Sequence, residues 1–555
     1  MEKNVLLAIV LSTLVIIGFH FFMSAQQKHA PSEGVSQTAE EATPPSQAPS
    51  EEKGQARQEP KEETLLQGHV APEQTPAPVE VREAKVKTSL YQALLTEAGG
   101  RFKSFTLSRY RQTVDPDSPP VELISAPKLG LPIEVYPTKA PGLAIAPYKA
   151  DRLLLELQNG QEGQLTFSPT LERPVVLVKE LGFKDGTYLM DLKVQVKNPS
   201  AEAIEDRLLF RLVEQPVAKL DRRYIFRGPS YSHQGVYEEV KLKKAGSLSE
   251  YTGEMDWVGY GDPYFLLAMI PPRGEAWRAT FRRLNEKAEE VILWSPQFVL
   301  HPGEQKEISL KLYFGPKDLE ILKKTGYNLA SAVNFGFFDV VAKPLLYSLR
   351  FFYKYTHNYG VAIILLTVLI RLIFWPLNHL SYKSMQKMKE LQPLIMKLKE
   401  KYGDDKAKLN EELMRLYKTY KVNPFMGCLP MIIQIPVFFA LYKVLLMAIE
   451  LRHAPFVAWI KDLSAPDRLP VGFEIPYLGG IPVLTILMGV SMYFQQKLSP
   501  TSLDPTQEKM MLMMPIVFTL LFINFPSGLV LYWLTNNVLS IIQQVMTNKM
   551  LARGK

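Results

Sequence analysis

Arg371 stands inside the apolar run VAIILLTVLIRLIFWPLNHL, residues 361–380, which contains no acidic residue. An arginine in hydrocarbon costs at least about 2.5–3.5 kcal/mol on insertion scales, so an ionisable residue at membrane depth marks a functional path by default. Thr367, Arg371 and Asn378 fall on one helical face, at i, i+4 and i+11. A second polar stripe, Tyr532, Asn536, Ser540 and Gln543, runs along the last apolar segment, with Trp533, Asn537 and Gln544 beside it. Gln434, Ser491 and Gln495 add polar groups on two further apolar segments. Polar side chains on several apolar helices are costly unless they face one another or water. The pattern therefore predicts a hydrophilic cavity inside a helical bundle. Arg371 lies roughly 8–13 Å from the cytoplasmic end of its helix at 1.5 Å per residue, and the outer half, VAIILL, is wholly apolar. The wet space is expected to open to the cytoplasm and to stop near mid-membrane, unlike a channel, which needs a continuous path. Snorkelling of the guanidinium to the headgroups is the alternative reading of the same position.

The rest of the chain offers no competing chemistry. The single cysteine, Cys428, excludes an intramolecular disulfide and any site built on paired cysteines, and it reads as a small buried residue. The eight histidines are scattered without ligand spacing. Phosphate-loop, H-E-x-x-H and G-x-S-x-G patterns are missing. The expectation is a protein that is not an enzyme, with no cofactor and no metal. A net charge of +8 on 555 residues fits cytoplasmic loops that obey the positive-inside rule better than it fits a nucleic-acid partner.

The elements that position these residues read in order. Residues 1–23 hold an apolar run of membrane-spanning length, read as an uncleaved signal anchor with its N-terminus in the cytoplasm. Residues 24–85 are rich in Pro, Glu, Gln, Ala and Ser, the composition of a flexible tether. Residues 86–325 switch to strand periodicity. Met190, Leu192, Val194 and Val196 alternate, Asp185-Gly186 supplies a hairpin turn, and Ile308, Leu310 and Leu312 repeat the alternation. Residues 335–355 are apolar but interrupted by Asp339, Lys343, Arg350 and Lys354, as in an interfacial helix.

Five short spans are predicted at about 358–379, 424–450, 480–497, 509–525 and 527–547 in a core of residues 357–550. The loop 380–423 is dense in basic residues from Lys383 to Lys421, whereas 451–479 carries only Arg452, Lys461 and Arg468. This asymmetry places 380–423 inside. Met385, Met388, Leu391, Ile395 and Leu398, then Leu409, Leu413, Leu416 and Tyr420, follow helical periods on either side of Gly403-Asp404-Asp405. The loop is thus expected to form a cytoplasmic helical hairpin, whose charge suits a ribosome, anionic lipid or simple solvation. The fold class is a polytopic α-helical membrane protein, an N-terminal anchor plus a five-helix core, with a large extracytoplasmic antiparallel β-sandwich.

The segments VNPFMGCLPMIIQIPVFFALY (422–442), ELRHAPF (450–456), DLSAPD (462–467) and FPSGLVLYW (525–533), with the arginine in LTVLIRLIFWPL, resemble the YidC/Oxa/Alb family of membrane protein insertases. The anchor and large outer domain are similar to the Gram-negative inner-membrane form. The resemblance implies a groove open to cytoplasm and lipid around Arg371, with Thr367, Tyr532 and Trp533 on the substrate path; the polar stripes read above add Gln434, Asn536 and Ser540 to that groove. Many members carry tyrosine where this chain has Trp533, a ring without the hydroxyl. It also implies an outer domain of the supersandwich type, newly made membrane proteins as substrates, and cooperation with the Sec translocon. The rival readings are a solute transporter, for which the spans show no internal repeat, and an anchored carbohydrate-binding protein acting through the β-domain.

Overall fold

The computed structural model describes residues 81–553, apart from 125–128, 172, 215–225, 286–287, 424–425, 427–428, 474, 477 and 499–504. The predicted anchor, nearly all of the tether and Cys428 lie outside the described residues.

From Glu83 to Pro316 the chain is built of strands. The largest sheet has nine strands, running from Val236–Glu239 at one edge, through Phe265–Ile270, Gln305–Pro316, Leu189–Lys197 and Val176–Lys184 at its centre, to Tyr148–Ala150 at the other edge. Two five-stranded sheets and a two-stranded ribbon complete the β-region. The period-two residues face inward: Met190, Leu192, Val194 and Val196 are buried on one strand, and Ile308, Leu310 and Leu312 on its antiparallel neighbour. The turn between Val176–Lys184 and Leu189–Lys197 places Gly186 at φ 82, a conformation open to glycine at no steric cost. Tyr91, Phe102, Phe105 and Phe314 interlock between the first sheet and the nine-stranded one, with ring centroids 4.5–6.1 Å apart. One pairing departs from the expected antiparallel pattern. Glu83–Lys87 runs parallel to Leu154–Glu156, because the connection between them passes through the other strands of the sandwich instead of a hairpin.

The helices follow. Helix α1 (Leu319–Thr325) is capped by Asp318, whose side chain accepts from the backbone N–H of Glu320 and Ile321. Helix α2 (Asp339–Thr356) is two-faced: Ala342, Leu345, Leu346 and Leu349 are buried, while Val340, Tyr347, Phe351 and Tyr355 are exposed. The remaining helices are α3 (Tyr359–Ile373), α4 (Trp375–Tyr402), α5 (Lys406–Thr419), α6 (Leu429–Met447), α7 (Val483–Leu498), α8 (Pro505–Phe522) and α9 (Ser527–Arg553). The expected span 358–379 is not one straight helix. It breaks at Phe374, and α3 and α4 meet at a 63° bend. Pro376, in the first turn of α4, is the cause, since proline lacks the N–H that would continue the ladder. None of the described helices is by itself both long and apolar enough to cross a bilayer, although the bent pair α3 and α4 qualifies together.

One arginine ties helical segments together and a second fixes them to the β-region. Arg350 of α2 pairs with Asp318 and Glu320 at α1 and with Glu450 just beyond α6, at 3.2–3.5 Å. Arg452 donates to the Gln112 carbonyl at 3.1 Å and lies over the rings of Tyr264 and Phe265. Helices α4 and α5 form a hairpin with its own small core of Met388, Leu391, Ile395 and Val422, packed by Leu413, Leu416 and Tyr417. Asp405 caps α5 by accepting from the Lys408 N–H at 3.0 Å.

Candidate functional site

Helix α3 is started by Asn358, whose side chain accepts from the N–H groups of Gly360 and Val361. Its buried face runs Tyr359, Gly360, Ile363, Leu366, Thr367, Ile370, Arg371, the spacing of one helical stripe. Gly360 is required there, since a Cβ would fall 2.0 Å from the Phe456 ring. Helices α2 and α9 pack against α3, so the stripe carries Arg371 into the interior rather than towards a surface.

Arg371 is 9% exposed. One of its terminal nitrogens donates to Ser540 Oγ of α9 at 2.6 Å and lies 3.4 Å from Tyr382 Oη of α4. Its Nε is buried without a partner. Among the described residues its hydrogen-bond partners are thus two hydroxyls and no carboxylate. A buried guanidinium normally keeps a carboxylate, because an unneutralised charge in a low-dielectric interior is strongly unfavourable. An anion would supply the counter-charge that the described residues leave out.

The structure joins some of the predicted residues and separates others. Ser540 reaches Arg371 and itself donates to the Asn536 carbonyl at 2.7 Å; Asn536 is half-buried. Gln434 of α6 donates to Tyr532 Oη, linking α6 to α9. Thr367 shares the arginine's face, but its hydroxyl donates back to the Ile363 carbonyl at 2.6 Å and is buried. Trp533 lies among Phe438, Phe522 and Phe518, with centroids 5.0, 5.2 and 6.3 Å away. That aromatic cluster is served by a ring and needs no hydroxyl. Asn378, expected on the α3 face, lies past the break and is buried in α4.

The polar stripe of α9 splits into two rows. Asn537 donates to Ser491 at 3.0 Å and Gln544 to the Leu498 carbonyl at 2.5 Å, both on α7. Ser540 and Gln543 turn instead to Arg371 and to the Trp375 carbonyl, the latter at 3.3 Å. The residue that sequence reasoning missed is Tyr382. It belongs to a segment read as a cytoplasmic helical hairpin, and the bend at Phe374 is what brings it back onto the arginine.

The 60Kd inner membrane protein family matches residues 351–554, and the YidC periplasmic domain family matches residues 83–348. The membrane protein insertase YidC of Syntrophobacter fumaroxidans is 40% identical over 99% of this chain and 100% of its own length. That of Syntrophus aciditrophicus is likewise 40% identical, over 99% and 100%. Among solved structures, an active YidC insertase with its first transmembrane domain resolved aligns over 84% of this chain and 93% of its own, at 21% identity and a TM-score of 0.37. The two family matches and the 40%-identical relatives favour an insertase over the transporter and carbohydrate-binding readings. They also make the protein an inner-membrane one, with a helical membrane core, a periplasmic β-rich domain and membrane proteins as its substrates. The chain belongs to the YidC family of membrane protein insertases, which are not enzymes.

Proposed function

We propose that the chain inserts membrane proteins by drawing a short hydrophilic tail of the substrate to Arg371 and releasing the apolar segment sideways into lipid. The observation that carries this reading is the buried guanidinium held, among the described residues, by hydroxyls alone. The barrier to insertion is desolvation of the tail in an apolar layer. Polar side chains at the depth of Arg371 shorten the dry distance, and an acidic side chain supplies the missing counter-charge. The membrane potential, negative inside, favours moving each negative charge outward by roughly 2.3 kcal/mol per 100 mV. Short helices such as α7, with 16 residues, would thin the bilayer locally and shorten the crossing further.

In this reading Arg371 attracts the tail, Ser540 and Asn536 line its path, and Thr367 shapes the helix face below it. Gln434, Tyr532 and Trp533 fix α6 against α9 where the apolar segment leaves. Residues 1–23 anchor the chain with its N-terminus in the cytoplasm, 24–85 tether the periplasmic β-domain of 86–325, 335–355 lie in the interface, and 357–550 form a five-span core. The hairpin of 380–423 projects into the cytoplasm, where its charge suits a ribosome, and the Sec translocon is the partner for larger substrates. The test is insertion of a small single-span protein with an acidic tail into liposomes holding only this chain, scored by protease protection. Protection above empty liposomes is expected, and it should survive deletion of 86–325. No protection would contradict autonomous insertion.

A further inference from the structure

Ser540 Oγ stands at the meeting of two bonds. It accepts from the Arg371 guanidinium at 2.6 Å and donates to the Asn536 carbonyl at 2.7 Å. A hydroxyl has one proton, so with that proton committed to its own helix Ser540 presents its lone pair in a fixed direction. That direction holds the guanidinium only while α9 keeps its rotation about its own axis. A side-chain atom stands about 5 Å from a helix axis, and a turn of roughly 20° therefore moves it by about 1.7 Å. Such a shift breaks a hydrogen bond.

What sets the rotation lies on another face of α9, where α7 packs along it. Asn537 Nδ2 donates to Ser491 Oγ at 3.0 Å, and Gln544 Nε2 donates to the Leu498 carbonyl at 2.5 Å. The two ties bracket Ser540, about one turn before it and one turn after. Asn537, Ser491 and Gln544 are all buried. Ser491 repeats the arrangement of Ser540: it donates to the Met488 carbonyl of its own helix at 2.6 Å and accepts from the helix opposite. Apolar contacts between helices are non-directional and tolerate a small rotation. A buried amide does not, because losing its acceptor leaves it with the whole desolvation penalty. Rotation of α9 is thus opposed at two points on either side of the serine that meets the arginine.

We propose that Asn537 and Ser491 are positioning residues of the insertion reaction: their bond, seconded by that of Gln544, fixes the rotation of α9 and so aims Ser540 at Arg371, holding the guanidinium in one orientation for an incoming carboxylate. This rests on the reading of Arg371 as the tail's receptor. Neither residue touches the arginine. The two polar rows of α9 divide the work, one meeting the arginine and the other, about 100° further round the helix, keeping the first in place. A neutral tail makes no use of the guanidinium. Loss of the second row should therefore be felt as a lost preference for acidic tails and not as lost insertion.

The test measures, for the full chain in liposomes, the ratio of insertion rates of a single-span protein with an acidic tail and the same protein with a neutral tail. Asn537→Ala and Ser491→Ala should each lower that ratio by about three- to fivefold, the weight of one net hydrogen bond, with the neutral rate unchanged. The reciprocal exchange, Ser491→Asn with Asn537→Ser, conserves volume and bond and should restore the ratio. Gln544→Met cuts the second tie and should lower the ratio too, which keeps the proposal testable where an alanine variant fails to fold. A wild-type ratio in the single variants would overturn the positioning role. So would an equal fall in both rates, the mark of a merely structural bond, or an exchange variant whose ratio stays low. Arg371→Ala, run alongside, separates the two readings. A ratio that survives Arg371→Ala removes the receptor and the positioning role with it, whereas a flat ratio there beside unchanged single variants removes the positioning role alone.

Discussion

Two buried arginines show how differently the halves of this molecule use charge. In the periplasmic domain, Arg211 lies between Glu134 and Glu290, each at 2.8 Å, and the chain of pairs continues to Arg101 and Arg282 at 2.7 and 2.6 Å. In the membrane core, Arg371 has, among the described residues, the hydroxyls of Ser540 and Tyr382 and no carboxylate. The first arrangement is closed. Every charge has its counter-charge inside the fold, which specifies strand register and offers nothing to a ligand. The second is open, and in the proposed reading the counter-charge comes from another molecule. The lesson is that burial alone does not mark a functional arginine; a missing partner does.

Removing each arginine is the strongest way to break that comparison. Arg211→Ala leaves Glu290, which is 0% exposed, without one of its two arginines, and losing one partner of a buried pair costs about 3–5 kcal/mol. The periplasmic domain should melt at a markedly lower Tm in the full chain, with insertion unchanged at temperatures below that transition. Arg371→Ala should do the reverse. Insertion of acidic-tailed substrates should fall at least tenfold, about 1.4 kcal/mol, while Tm stays within the range of ordinary surface substitutions. Equal loss of stability in both variants would erase the distinction.

Lys179 sharpens the comparison from the soluble side. It is fully buried, donating to the Gly99 carbonyl at 2.6 Å and lying 5.1 Å from the Tyr148 ring centre. Burial, reinforced by nearby Arg101 and partly offset by Glu134, pulls its pKa down to about 7. The folded value is below the unfolded one, so between pH 7 and about 10.5 the unfolded chain holds the extra proton and stability rises with pH. Wild type should therefore gain stability relative to Lys179→Met between pH 7 and 9, by about 1.4 kcal/mol per pH unit at most; a constant difference would contradict this. The smallest effect is expected at Trp533. Trp533→Tyr keeps a ring against Phe438 and Phe522 and should change insertion less than about twofold, a few tenths of a kcal/mol. A large loss would mean that the indole contributes more than packing.

What was legible in the sequence follows from how local the physics is. Alternation through Met190 to Val196 announced a strand because period two is a property of neighbouring residues, and the same holds for the cap at Asp405 and the hairpin stripe of Met388, Leu391 and Ile395. Arg371 stood out because its surroundings in sequence are apolar. Its partners did not, because Ser540 lies 169 residues away and Tyr382 comes back only through the bend at Phe374. Pro376 carried a signal for that bend, which the length of the apolar run obscured. The splitting of the α9 stripe between α7 and α3 depends on which helices pack together, and so does the inward turn of Thr367; neither is written in spacing.

The most direct test is a charge series. A single-span substrate is made with tails bearing none, one or two carboxylates and presented to liposomes holding wild type or Arg371→Ala, with and without an inside-negative potential. Wild type should insert the acidic tails faster in proportion to their charge, and Arg371→Ala should flatten the series towards the rate of the neutral tail. A charge dependence that is identical in wild type and Arg371→Ala would show that the potential acts alone and that the buried guanidinium is not the receptor.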